Sequence, residues 1–511
     1  MRAFGVRNIN RIVITGVGVI IQLLIYFSML SAFNDYSNWF YGFSIAISVF
    51  VVLWIINNDS NPSYKMAWII LIMLAPVFGG IFYLEFGNNR MSKRERKSMC
   101  RIDEATLQQL PKNDDIINNL MKIDKPAALQ SRYIQNFGGY AAATDSAVEY
   151  LSIGEEYFEE LKIELKKARH FIFLEYFIIE NGTMWNQILQ ILVQKVKEGV
   201  DVRIIYDDFG CMLTLPVDYK MELESMGIQC MVFNKLVPLF SFRFNTRDHR
   251  KIAVIDNASA FTGGINLADE YINARERFGH WKDGGIKICG EAVWHFTVMF
   301  LSMWDYLAGT KTDYDSFKLN AKPTSLKDSN GVIQPFSDSP LDNEPVGQNV
   351  YLNLISKAQD YIYITTPYLV IDDGMMNNLT NAAKSGVDVR IMTPHIPDKK
   401  YVHEVTKSYY PKLVQSGVKI YEYTPGFIHC KSFVVDDIYG IVGTINMDYR
   451  SLYLHFECGV WTCRTGLELE LKNDFLKTQE RCTEVSEETL SKLGIIHAFI
   501  RMILKAFAPL M

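Results

Sequence analysis

No two cysteines in this chain stand at Cys-x2-Cys spacing; the eight, at 100, 211, 230, 289, 430, 458, 463 and 482, are scattered. That excludes the common zinc arrangements and a small disulfide framework, and free thiols in a reducing compartment are expected. A strong basic excess is also missing. The formal net charge of -5 does not fit a general nucleic-acid binder, so no nucleic-acid partner is expected. Charged residues make up only 21% against 49% hydrophobic and 13% aromatic, which excludes disorder and is apolar for a soluble enzyme. At 511 residues the chain exceeds the size of one growing core, so two or more units are expected.

What the sequence does have is long uncharged runs near its start. Residues 12–33 and 39–56 carry no charge, and each approaches the roughly 20 residues that span a bilayer. Both read as transmembrane helices. A third apolar stretch, 66–84, contains Pro76, Gly79 and Gly80 at its middle and reads either as a third crossing or as a re-entrant segment. Arg2, Arg7 and Arg11 precede the first run, and Arg90, Lys93, Arg94, Arg96 and Lys97 follow the third. Basic flanks mark the cytoplasmic side, so the re-entrant reading, with both ends and the catalytic part inside, is preferred. The membrane anchor is expected over 1–88 and a basic juxtamembrane linker over 89–125, which would attract anionic lipid at about 1 kcal/mol per basic residue.

The remainder is duplicated. Gly199-Val-Asp-Val-Arg-Ile204 recurs letter for letter as Gly386-Val-Asp-Val-Arg-Ile391, each after an apolar run and a helical stretch. Two related α/β domains follow, at 126–310 and 350–490, with mainly parallel strands. The polar stretch 311–349 reads as a linker, and 491–511 as an amphipathic helix that either packs on the core or lies on lipid.

Each half then reaches the same motif. His249-Arg-Lys251 is followed by Asp256 and, six residues on, Gly263-Gly264-Ile-Asn266; His429-Cys-Lys431 is followed by Asp436 and Gly443-Thr444-Ile-Asn446. Alternation places His249 with Lys251, and His429 with Lys431, on one face of a strand. Two His, two Lys and two Asn converging across a pseudo-twofold axis suit a phosphodiester without any metal or cofactor. One imidazole attacks phosphorus in line and the other protonates the departing alkoxide. Asp283 and Glu457, near the end of each repeat, are candidates to orient the imidazoles; Asp256 and Asp436, counted with the catalytic motif, either do that work instead or, the preferred reading, anchor the motif through hydrogen bonds. Of the other histidines, 280, 295, 395, 403, 455 and 497 read as satisfied structural residues.

At these residues the chain resembles the phospholipase D superfamily and, over essentially its whole length, the bacterial cardiolipin synthases. The likeness includes Asn61-Pro-Ser, Trp281-Lys-Asp283, Thr366-Pro-Tyr368, Gly426-Phe-Ile-His-Cys-Lys431 and Asn446-Met-Asp-Tyr-Arg-Ser451. It implies two phospholipase D-like domains behind transmembrane helices, in a multi-pass protein of the bacterial plasma membrane. It also implies the reaction: one phosphatidylglycerol gives its phosphatidyl group to a histidine, releasing glycerol, and a second phosphatidylglycerol takes it up. Lys251, Lys431, Asn266 and Asn446 would hold the phosphate; either histidine is the nucleophile, with a lean to His249. Water as acceptor would make a hydrolase of the same residues, and another donor or alcohol a different phosphatidyltransferase. Cys430, where a small residue is common, implies sensitivity to thiol reagents, and Asp372-Asp-Gly stands in place of the usual Pro-Asp-Glu.

Overall fold

The computed structural model describes residues 37–58, 61–75, 79–87, 97–99, 106–110, 112–235, 245–319, 331–342, 344–491 and 495–510, with a few isolated positions besides. The first uncharged run and most of the basic segment 90–101 lie outside these residues. The second run forms the helix Ser37–Ile56, whose side chains are described from Gly42 on. Among the described residues no helix is long and apolar enough to cross a membrane. The third run divides into two helices, Pro62–Leu74 and Gly79–Phe86. Pro62 fits the first turn, where its missing N–H is no loss, and the Asn61 side chain caps that turn by accepting from Ser63 N.

Two sheets carry the rest. In the first half, β1 (Ser146–Leu151), β2 (Phe171–Tyr176), β3 (Asp201–Asp207), β4 (Gln229–Phe233), β6 (Lys251–Ile255), β7 (Ser259–Gly263) and β9 (Gly285–Gly290) lie in the order β1-β9-β7-β6-β2-β3-β4. In the second, β10 (Val332–Asp338), β11 (Tyr361–Thr365), β13 (Asp388–Pro394), β14 (Lys419–Tyr423), β16 (Ser432–Val435), β17 (Tyr439–Gly443), β19 (His455–Cys463) and β20 (Cys482–Glu484) lie in the order β10-β19-β17-β16-β11-β13-β14-β20. Only β2–β3–β4 and β11–β13–β14 pair in parallel; the other pairs along the two orders are antiparallel. The expectation of mainly parallel sheets is therefore wrong. The parallel strands are those that helices separate around the repeated Gly-Val-Asp-Val-Arg-Ile, while each motif strand returns directly through a tight turn, β6 to β7 and β16 to β17, which forces antiparallel pairing.

The halves are joined through backbone as well as side chains. A short strand of the first half, β5 (Arg247–Asp248), pairs in parallel with His455–Phe456 of β19, and β8 (His280–Lys282) pairs in parallel with β15 (Gly426–Ile428) of the second half. A further two-stranded pair, β12 (Leu369–Val370) with β18 (Met447–Asp448), lies within the second half. The stretch expected to be a linker contributes β10 to the second sheet, because its apolar residues are buried beside β19. Between the sheets runs the helix Val293–Ala308, buried at every position from Val293 to Asp305, in a core that joins Phe171, Phe173 and Val254 of one half to Val434, Val460 and Phe475 of the other.

Candidate active site

Both motif histidines sit where a strand is interrupted. His249 falls between β5 and β6, and His429 between β15 and β16, so neither shares one continuous strand with its lysine as alternation alone suggests. The interruption has a cause in the other half: His249 N donates to Phe456 O at 2.9 Å, and His429 N donates to Lys282 O at 2.7 Å. Each lysine folds back, Lys251 Nζ donating to His249 O at 2.7 Å and Lys431 Nζ to His429 O.

The orienting acids are exchanged. His249 Nδ1 lies 2.9 Å and 3.0 Å from the two carboxylate oxygens of Glu457, a residue of the second half. His429 Nδ1 lies 2.7 Å from Asp283 Oδ2, a residue of the first. With Nδ1 engaged by an acid, Nε2 of each ring is left for chemistry. Asp283 and Glu457 are fully buried, and Thr444 donates its hydroxyl to Glu457. In the first repeat the matching position is Gly264, where a Cβ would lie 2.1 Å from Asp283 Oδ1, so a side chain there would displace the acid.

Burial sets the protonation states. It holds His249 well below its ordinary value, aided by Lys251, His455, Lys431 and His429, and lowers His429 to about 4, with Lys431 adding to the effect and Asp283 opposing it. Burial lowers Lys251 to about 7 and Lys431 to about 8, against the pull of Glu457 and Asp283. It pushes the Glu457 carboxyl up, with Lys251 and the Thr444 hydroxyl opposing. A site so built resists carrying positive charge, and an arriving phosphodiester anion would restore it.

Asn266 donates through Nδ2 to the Tyr271 hydroxyl at 2.7 Å and accepts from Ile178 N, while the buried Asn446 Oδ1 has no hydrogen-bond partner among the described residues. Asp256 and Asp436 lie at the far end of their strands. Asp256 accepts from the backbone N–H of Arg169, His170 and Phe171, and Asp436 from Gln359, Asp360 and Tyr361, at 2.6–2.9 Å. The structure thus assembles His249, Lys251, His429, Lys431, Asp283 and Glu457, and leaves the two motif aspartates outside.

His455 was expected to be a satisfied structural residue. It is not: its ring centroid is 5.6 Å from that of His249, it is 9% exposed, and among the described residues neither ring nitrogen has a hydrogen-bond partner. Two residues before Glu457 on β19, it shares that residue's face, a signal that strand alternation carries. Cys430 is also different from expectation, since it is buried and burial pushes its thiol far up, away from the reactive thiolate.

Residues 161–299 and 351–478 match the family described as "Cardiolipin synthase, PLD-like domain", and residues 46–88 match "Phospholipase_D-nuclease N-terminal". A cardiolipin synthase of Geobacillus sp. is 33% identical, the match covering 96% of this chain and 99% of that one. The chain belongs to the cardiolipin synthase family of the phospholipase D superfamily. The reaction of cardiolipin synthases is phosphatidyl transfer between phosphatidylglycerols. An uncharacterized protein of Streptococcus mutans is 43% identical over 90% of this chain and 99% of its own length. Among solved structures, a phosphatidylserine synthase of Haemophilus influenzae superposes with a TM-score of 0.57, covering 75% of this chain and 97% of that one at 15% identity, a likeness of fold.

Proposed function

We propose that this cardiolipin synthase works through a phosphatidyl-histidine formed between His249 and His429. One imidazole attacks the phosphorus of a phosphatidylglycerol: an N–P bond forms, the P–O bond to glycerol breaks, and the leaving oxygen takes a proton from the opposite imidazole. The primary hydroxyl of a second phosphatidylglycerol returns that proton to the same imidazole as its oxygen displaces the histidine, giving cardiolipin. Lys251, Lys431 and Asn446 neutralise and hold the phosphate, and Glu457 and Asp283 fix the rings. The exchanged histidine–acid pairs carry this reading, because they leave two Nε2 atoms for one phosphorus.

The apolar helices before the catalytic halves, with Phe43, Val49, Phe50, Leu53 and Trp54 exposed, hold the enzyme on the bilayer that supplies both substrates, with the catalytic halves on the cytoplasmic side. The test is turnover of phosphatidylglycerol alone by the purified full-length protein in detergent. Cardiolipin and glycerol in equal amounts, lost in His249→Ala and in His429→Ala, are expected. Phosphatidic acid in place of cardiolipin would make water the acceptor.

A further inference from the structure

Resting on that reading, we propose that His455 and Arg450, with Lys399 at their side, bind the headgroup phosphate of the acceptor lipid, a second anion beside the reacting one. A buried imidazole with both nitrogens unpartnered is costly in a native fold unless a ligand completes it. The nearest carboxylate oxygen, Glu457 Oε1, is 3.7 Å away and already serves His249. Apart from burial, the strongest influences on His455 are positive charges, Arg450, Arg247, Lys251 and Lys399. Arg450 is partly exposed and donates to Asn245 Oδ1 at 3.2 Å; Lys399 is 52% exposed, with Nζ 3.9 Å from an oxygen of Asp398. This places a basic lip outside a donor-bearing ring that adjoins His249.

The reaction supplies one anion for it. The donor phosphate is engaged by the motif residues, the leaving glycerol is neutral, and the acceptor brings its own phosphate joined to the attacking hydroxyl through one glycerol. A divalent cation is the rival occupant, since His249, His455 and Glu457 offer ligand atoms within 4.8 Å of one another. Arg450, Arg247 and Lys399 disfavour a dication and favour an anion.

The test is an acceptor competition within one reaction. The full-length enzyme in detergent receives phosphatidylglycerol together with 1-butanol, a neutral primary alcohol, and the ratio of cardiolipin to phosphatidylbutanol is measured. Both products draw on the same intermediate, so the ratio is independent of how much enzyme is folded. His455→Gln and Arg450→Gln are each expected to lower it about tenfold, the loss of one hydrogen bond to a charged group. A ratio within twofold of wild type in both variants would overturn the proposal. So would a rise in zinc-resistant activity in His455→Gln without a change in the ratio, which would mark the ring as a metal ligand. If the wild-type enzyme forms phosphatidylbutanol and phosphatidic acid but no cardiolipin, the synthase reading itself fails and this one with it.

Discussion

His249 and Glu457 are 208 residues apart in the chain, and the ring Nδ1 of one lies 2.9 Å from the carboxylate of the other. His429 and Asp283 repeat the arrangement in reverse across 146 residues. The acid of each half therefore serves the histidine of the other. Glu457→Gln and Asp283→Asn keep the shapes but exchange an acceptor-only group for an amide, so each is expected to cut phosphatidylglycerol turnover by about 10²–10⁴. Rapid-quench detection of phosphorylated histidine, compared between the two variants, would show which pair holds the nucleophile.

The motif aspartates are expected to behave differently. Asp436 sits at φ +53° and satisfies three backbone N–H groups, as Asp256 does at φ +51°. Asp436→Ala should cost about 2–3 kcal/mol, read as a lower Tm, with activity per folded molecule changed far less than in the acid variants. Asp436→Asn tolerates the left-handed backbone and keeps an acceptor, so it should recover much of the loss.

The pH dependence of phosphate binding follows from the lysines. Lys251 and Lys431 are lowered to about 7 and about 8, so each is charged below that value and neutral above it. An oxyanion prefers the charged form. Affinity for tungstate, followed by calorimetry on the detergent-solubilised enzyme, should be strongest below about pH 7 and fall as pH rises through 7 to 8. A flat profile to pH 9 would mean that the lysines do not hold the anion.

Thiol reagents give a further check. The described cysteines are buried except Cys482, which is partly so, and burial raises Cys482 to about 12. N-ethylmaleimide at pH 7 is expected to leave activity intact over the time in which a free surface thiol reacts fully, and Cys430→Ala to retain turnover.

Much of this site is legible in the sequence, and the parts that are not share one cause. The duplicated His-x-Lys-x4-Asp spacing identifies the two histidines and lysines, because a few residues fixed in type cannot recur by chance. Asp283 and Glu457 are legible only as acids near the end of each repeat. Spacing does not reveal their exchange, since a linear repeat says nothing of where the axis between the halves passes. The break of the motif strand at His249 is hidden for the same reason: its hydrogen-bond partner, Phe456, belongs to the other half. His455 stays hidden because one histidine without a repeat partner carries no spacing signal. Asp372, a departure from the family pattern, proves to accept from Asn61, Gln348 and Tyr453, tying the apolar N-terminal region to the catalytic part.

The two backbone seams, β5 with β19 and β8 with β15, run on either side of the histidines. A clamshell that opened between the halves would tear both ladders and separate each imidazole from its acid. Lipids are therefore expected to enter and leave with the halves still joined, the pocket keeping its shape through the cycle. The enzyme is built as a vice already tightened.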